Sequence, residues 1–174
     1  VPAYTRLREQ AGDIASRRVQ GEILTLVLIS QGLLLIAVMA FTPAFIRLLA
    51  PGFAATGETM RLAVELTRLT FPYLALVTLV VLWTGVLNAE RRFVAGAAAP
   101  VLLNLAMIST LLLAGSFASA AHAAAWGVLI AGVLEAALLL VAAKRAGLIA
   151  WPARPKLDAE MRAFLKAFGP AVIG

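Results

Sequence analysis

One carboxylate stands deep in an apolar stretch of the chain. Glu135 follows 42 uncharged residues (93–134), and residues 136–143 beyond it are uncharged too. In a membrane span a central charge costs roughly 2.5–3.5 kcal/mol, against about −0.3 to −0.6 kcal/mol for each large apolar residue. Ten such residues between Trp126 and Val141 offset the carboxylate, so the segment can still insert. A carboxyl group in that position can bind a proton or a cation, or gate a pathway. It can also sit as a neutral acid hydrogen-bonded to a neighbouring helix. No second intramembrane carboxylate accompanies it, which favours the neutral acid. Ala123, Gly127 and Ala131 precede Glu135 at intervals of four, a column of small residues that lets another helix approach closely. Glu135 is therefore expected to face protein.

The other polar candidates are few. Asn104 falls near the middle of an apolar run, where an amide commonly hydrogen-bonds across helices. Arg91 and Arg92 stand in a short hairpin, Asn88-Ala89-Glu90-Arg91-Arg92. There they can meet anionic lipid headgroups or simply fix topology, and Asn88 is expected to cap the preceding helix. His122, the one histidine, is expected in a solvated loop. His-Glu-x-x-His, Gly-x-Ser-x-Gly and Walker-type patterns are all missing, so no catalytic residue, cofactor site or metal site is assigned.

The elements that must position these groups are membrane helices. Hydrophobic residues make up 62% of the 174, charged residues 14%, and cysteine is absent. Mean hydropathy is +0.94. An ordinary soluble domain has about 25% charged residues, so that class is excluded, as are a disulfide module and a disordered tail. The fold class is all-α, a polytopic transmembrane bundle of four full helices and the start of a fifth. Residues 23–46, 69–89 and 93–134 are uncharged, and a crossing needs about 20 apolar residues. The helices are expected at 23–41, 69–87, 94–114, 123–143 and 159–174, the last truncated and capped by Asp158. Thr42-Pro43 disturbs the end of the first. Gly115 to His122 turns the chain between the third and fourth.

Before the second span, Glu58, Arg61, Glu65 and Arg68 lie on one helical face, where each pair is worth a few tenths of a kcal/mol. With Thr56 as N-cap, one long helix runs from near Gly57 into the bilayer. Pro72 removes a backbone bond and should bend it. Pro100 should bend the third helix, where Gly96 leaves room four residues earlier. Trp126 and Trp151 fall near expected interfaces, Trp83 deeper.

Segments 1–22, 88–93 and 144–166 carry 12 of the 15 basic residues; 42–68 and 115–122 carry 3. The positive-inside rule puts the basic side in the cytoplasm. The net charge of +6 is thus a topology signal, not a nucleic-acid patch. Position 1 is valine, and Phe168 to Gly174 are apolar, so the chain is expected to be an internal piece of a longer protein, a single transmembrane unit over 1–174.

Several strings in order carry a family likeness. They are Val1-Pro2-Ala3-Tyr4-Thr5-Arg6-Leu7, Leu49-Ala50-Pro51-Gly52-Phe53, and Thr67-Arg68-Leu69-Thr70-Phe71-Pro72-Tyr73-Leu74. Gly85-Val86-Leu87-Asn88 with Arg92-Phe93 follows, then Ala99-Pro100-Val101-Leu102-Leu103-Asn104-Leu105-Ala106-Met107-Ile108. Ala125-Trp126-Gly127-Val128-Leu129, Gly132-Val133-Leu134 and Gly169-Pro170-Ala171 complete the set. Over nearly the whole chain they resemble the MurJ (MviN) lipid II flippases of bacteria, within the multidrug/oligosaccharidyl-lipid/polysaccharide exporter superfamily.

The resemblance implies about fourteen helices in two lobes that rock in alternating access. This chain would match the third to sixth helices of the first lobe and the start of the seventh. It implies a non-enzymatic transporter in the inner membrane. The cargo would be lipid II, the undecaprenyl-pyrophosphate-linked muropeptide, and the partners would be membrane lipids and the remaining helices, with no nucleic acid. The family usually has glutamine where this chain has Glu135, and often proline near Gly96. Its cavity arginines lie mainly on the first, second and eighth helices, and its sodium-site residues fall beyond Gly174. A related polysaccharide-lipid or multidrug exporter, or a membrane-embedded glycosyltransferase segment, are the alternatives.

Overall fold

The computed structural model describes residues 2–50 and 57–154, with side chains from Arg18 onward. The chain is a multi-pass helical membrane protein. Its elements are α1 (Pro2–Ala40), α2 (Thr42–Leu49), α3 (Gly57–Thr70), α4 (Pro72–Ala89), α5 (Val94–Leu112), a 3₁₀ turn (Ala114–Ser116) and α6 (Ala120–Arg145). Four stretches are long and apolar enough to cross a bilayer: Arg18–Ala40, Gly57–Ala89, Val94–Leu112 and Ala120–Arg145. The described residues contain no strand.

Several boundaries differ from expectation for identifiable reasons. The first helix, expected from residue 23, begins at Pro2, because no proline interrupts residues 3–40. Thr42-Pro43 does more than disturb its end. Phe41 leaves the helix and a new one starts, with proline in the first turn of α2, where its missing N–H costs nothing. At the second proline the outcome is similar: α3 stops at Thr70 and α4 starts at Pro72, with Phe71 between them still helical in φ and ψ (−58°, −35°). Pro100, by contrast, lies inside α5 without ending it. Thr56, Asp158 and the helix expected at 159–174 lie outside the described residues.

The core forms around α6, which packs against α5, α4 and α3, while α1 lies on α4 and α2 bridges to α3. Ala123, Gly127, Ala131, Glu135, Leu139 and Ala143 are all buried. They stand four apart, so they form one ridge that winds slowly around α6. At its upper part, a Cβ on Gly127 would come within 2.5 Å of Thr110 Oγ1 and 3.2 Å of the Met107 Cα, so α5 sits almost on the α6 backbone. Next to the ridge, Gly132 meets the Tyr73 ring and Leu76 of α4. At its lower end Leu139 and Ala143 join Val80, Trp83, Leu87 and Ala99 in an apolar cluster. Gly96 has a tertiary reason beyond its distance from Pro100: a Cβ there would fall 2.7 Å from the Thr84 methyl.

Both helix ends on the basic side close in the same way. After α6, Leu148 N–H donates to Ala143 O (2.9 Å) and Gly147 N–H to Lys144 O (3.0 Å), with Gly147 at φ 68°. After α4, Arg92 N–H donates to Leu87 O (2.9 Å) and Arg91 N–H to Asn88 O (3.1 Å), with Arg91 at φ 57°. Each is the paired C-terminal motif that favours glycine at the left-handed position. Asn88 is therefore not the cap residue; it contributes only its carbonyl, and the cap is Glu90. The non-glycine left-handed residue at 91 carries strain. Accordingly, Gly147→Ala should lower the stability of the full-length protein by about 1 kcal/mol, and Arg91→Gly should raise it by about 0.5 kcal/mol. Thermal unfolding in detergent checks both signs; equal shifts at the two sites would contradict the strain at Arg91.

Candidate functional site

The sequence-selected residues do not converge on one pocket. Glu135 lies on the α6 ridge, 3% exposed, and its carboxylate makes no hydrogen bond to the described residues. The Tyr73 phenol on α4 is within electrostatic reach of it. The same turn of α6 brings Gly132 against the Tyr73 ring, so the small residue that admits the ring also brings the phenol towards the carboxyl group.

Asn104 is placed differently from expectation. It is exposed and makes no side-chain hydrogen bond to the described residues, so it does not bind α5 to a neighbour in this bundle. The buried positions of α5 are Ala99, Ala106 and Thr110. At 3.6 residues per turn Asn104 points about 140° away from that face. A shallow apolar groove lies nearby between α5 and α6, bordered by Leu102, Leu105, Ser109, Ile130 and Leu134. Pro100 is exposed as well. Arg91 and Arg92 are both exposed in the α4–α5 turn.

His122 also departs from expectation. It belongs to the first turn of α6, because Ser119 caps that helix and moves its start back to Ala120. Ser119 Oγ accepts the His122 backbone N–H (3.3 Å) and bonds the ring at Nδ1 (2.8 Å). The side chain is only 14% exposed, and Nε2 lies 3.3 Å from Glu65 Oε1, at an angle that is not a hydrogen bond. The charged stripe on α3 therefore works between helices. Glu65 turns to α6, and Arg68 Nε donates to Thr42 Oγ1 (3.2 Å), which itself donates to Val38 O (2.7 Å).

Other polar contacts were not singled out in the sequence. Gln31 on α1 donates to Thr78 Oγ1 on α4 (3.0 Å). Near the start of the first span, Gln20 donates to Leu148 O (3.2 Å) and Ala153 N–H to Gly21 O (3.2 Å), so the segment after α6 crosses α1. Glu22 is 1% exposed, with Oε1 paired to Arg18 (3.0 Å) and Oε2 buried without a hydrogen-bond partner among the described residues. The Arg18–Glu22 spacing of four is a legible signal for that pair. Polar Gln31 inside an uncharged span is the signal for the α1–α4 bond. The helix order puts Arg18, Arg91, Arg92, Lys144 and Arg145 towards one end of the bundle, with Arg61, Glu65 and His122 towards the other. Three metal-ligating side chains do not cluster anywhere among the described residues.

Comparison with known proteins agrees with this architecture. Residues 1–174 match the family described as Lipid II flippase MurJ. A probable lipid II flippase MurJ of Rhizobium tropici is 35% identical over 99% of this chain and 33% of its own length. The corresponding protein of Rhizobium meliloti is also 35% identical over 99% of this chain and 33% of its length. A lipid II flippase MurJ of Burkholderia cenocepacia is 30% identical over 86% of this chain and 29% of its length. The chain thus spans about a third of the relatives it matches.

Proposed function

The chain belongs to the lipid II flippase MurJ family, and on that premise we propose that it is part of a transporter carrying undecaprenyl-linked peptidoglycan precursor across the bacterial inner membrane. The observation that carries this reading is the family match over every residue from 1 to 174. The separation of charge supports it: the basic end of the bundle is the cytoplasmic one by the positive-inside rule. Movement of a lipid from leaflet to leaflet needs no nucleophile or metal in this segment. The proposed work of these four spans is to form a stiff part of one lobe, with membrane lipids and the remaining helices as its partners.

Individual residues take roles within that proposal. Glu135 is a neutral acid in the lobe interior: it is buried among apolar and small residues, and no basic side chain pairs with it among the described residues. Tyr73 is its polar neighbour. Asn104 faces outward from the bundle, where the remaining helices or the cargo can use its amide. Arg91 and Arg92 meet anionic headgroups at the cytoplasmic surface, where each basic residue is worth about 1 kcal/mol. Pro72 and Pro100 shape the α3–α4 and α5 spans so that the lobe moves as a unit.

Three outcomes are expected. In bacteria depleted of their own lipid II flippase, the full-length protein should restore growth and clear lipid II from the inner leaflet, and Glu135→Gln should do so equally well. Failure of the parent despite good membrane expression would overturn the flippase reading. Failure of Glu135→Gln alone would replace the neutral acid by a proton-carrying one. Pro72→Ala with Pro100→Ala should slow clearance; unchanged clearance removes the prolines from the mechanism. Finally, less anionic lipid should copurify with Arg91→Gln/Arg92→Gln than with the parent, and an equal amount would leave the arginines a topological role only.

A further inference from the structure

His122 and Glu65 sit at the end of the bundle opposite the basic cluster. The imidazole is held on one side and open to charge on the other. Ser119 Oγ fixes the ring through Nδ1 and caps the backbone of the same residue, so Nε2 is directed at α3. Nε2 is buried and has no hydrogen bond among the described residues, yet the Glu65 carboxylate stands 3.3 Å away. We propose that this pair is an acid-strengthened clasp between α3 and α6. When imidazole is neutral, the contact is little more than packing. When it is protonated, Nδ1–H donates to Ser119 Oγ and the positive ring attracts the Glu65 carboxylate, joining the two helices by an ion pair. Histidine is the side chain whose ordinary titration falls between pH 5 and 8, so the clasp tightens as the medium acidifies.

The surrounding charges leave Glu65 in control. On α3, Arg61 and Arg68 stand one turn to either side of Glu65, and Arg68 is engaged with Thr42. Glu58 lies two turns before Glu65 on α3, and Arg47 is the one charge on α2. α5 and the 113–119 turn carry no titratable group. On α4 the phenol of Tyr73 is set against Gly132, about 15 Å along α6 from His122. The N-terminus of α6 itself opposes a positive ring in its first turn. The stabilisation is present at acidic pH and lost as the imidazole gives up its proton.

This inference goes beyond the transport reading and does not depend on it, because its readout is the stability of the folded protein. The experiment is a double-mutant cycle in full-length protein in lipid nanodiscs. Unfolding rates are measured at about pH 5 and about pH 8 for the parent, His122→Gln, Glu65→Gln and the double variant. The cycle cancels every other titrating group. A coupling of about two- to fivefold in rate is expected at the acidic pH, as for a partly exposed ion pair, falling to none at the alkaline pH. Glu65→Gln alone should also be more sensitive to acid than the parent. Equal coupling at both pH values, or none at the acidic one, would overturn the clasp. If His122→Gln does not fold, the acid sensitivity of Glu65→Gln against the parent decides alone: greater sensitivity supports the clasp and equal sensitivity overturns it. Glu65 is 60% exposed and tolerates that change.

Discussion

The close approach of neighbouring helices to α6 holds the bundle together. Inside a bilayer apolar contact gives helices little reason to prefer each other over lipid, so association depends on how closely backbones fit. The α6 ridge meets that demand with alanine and glycine at 123, 127 and 131, and α5 and α4 lie against it. A large apolar side chain enters the ridge at Leu139, which packs with Trp83 and Leu87 towards the basic end. One ridge thus makes two kinds of contact: close backbone approach at Gly127 and Gly132, and an apolar side-chain cluster around Leu139 and Ala143. Glu135 falls between the two, buried on the same ridge.

Much of this was legible in the sequence, because the governing signals are local. Charge-free runs mark the spans, and the interval of four between small residues gives the buried face of α6. The break at Phe71–Pro72 follows from a missing N–H. The failures share a different cause. Asn104 lies in a span so uniformly apolar that its sequence does not say which face is inward, and a single amide cannot orient it. His122 reads as a loop residue because the surrounding residues are small, whereas one serine three positions earlier extends the helix to include it. The charged stripe on α3 reads as internal pairs until the neighbouring helices are placed. Glu65 and Arg68 then choose partners far away in sequence, and no periodicity encodes that choice.

α1 shows the limit of packing as an explanation. Only 11% of its most apolar stretch is buried, against 39% for α6. Leu33 and Ile36 are 63% and 68% exposed. Apolar contact therefore does little to fix the rotation of α1 about its axis. Two polar contacts do: Gln20 to Leu148 O near the basic end, and Gln31 to Thr78 eleven residues on, about 16 Å higher. Eleven residues make three turns and return the side chain to nearly the same face, so both bonds pull α1 onto the α4–α6 side. A hydrogen bond in a low-dielectric span has no competing water and is directional. Two of them on one face set the register and azimuth of a helix that packing leaves free, and they do so without bulk. That leaves the broad apolar surface of α1 free to meet lipid, while α2, pinned through Thr42 and Arg68, ties its far end to α3.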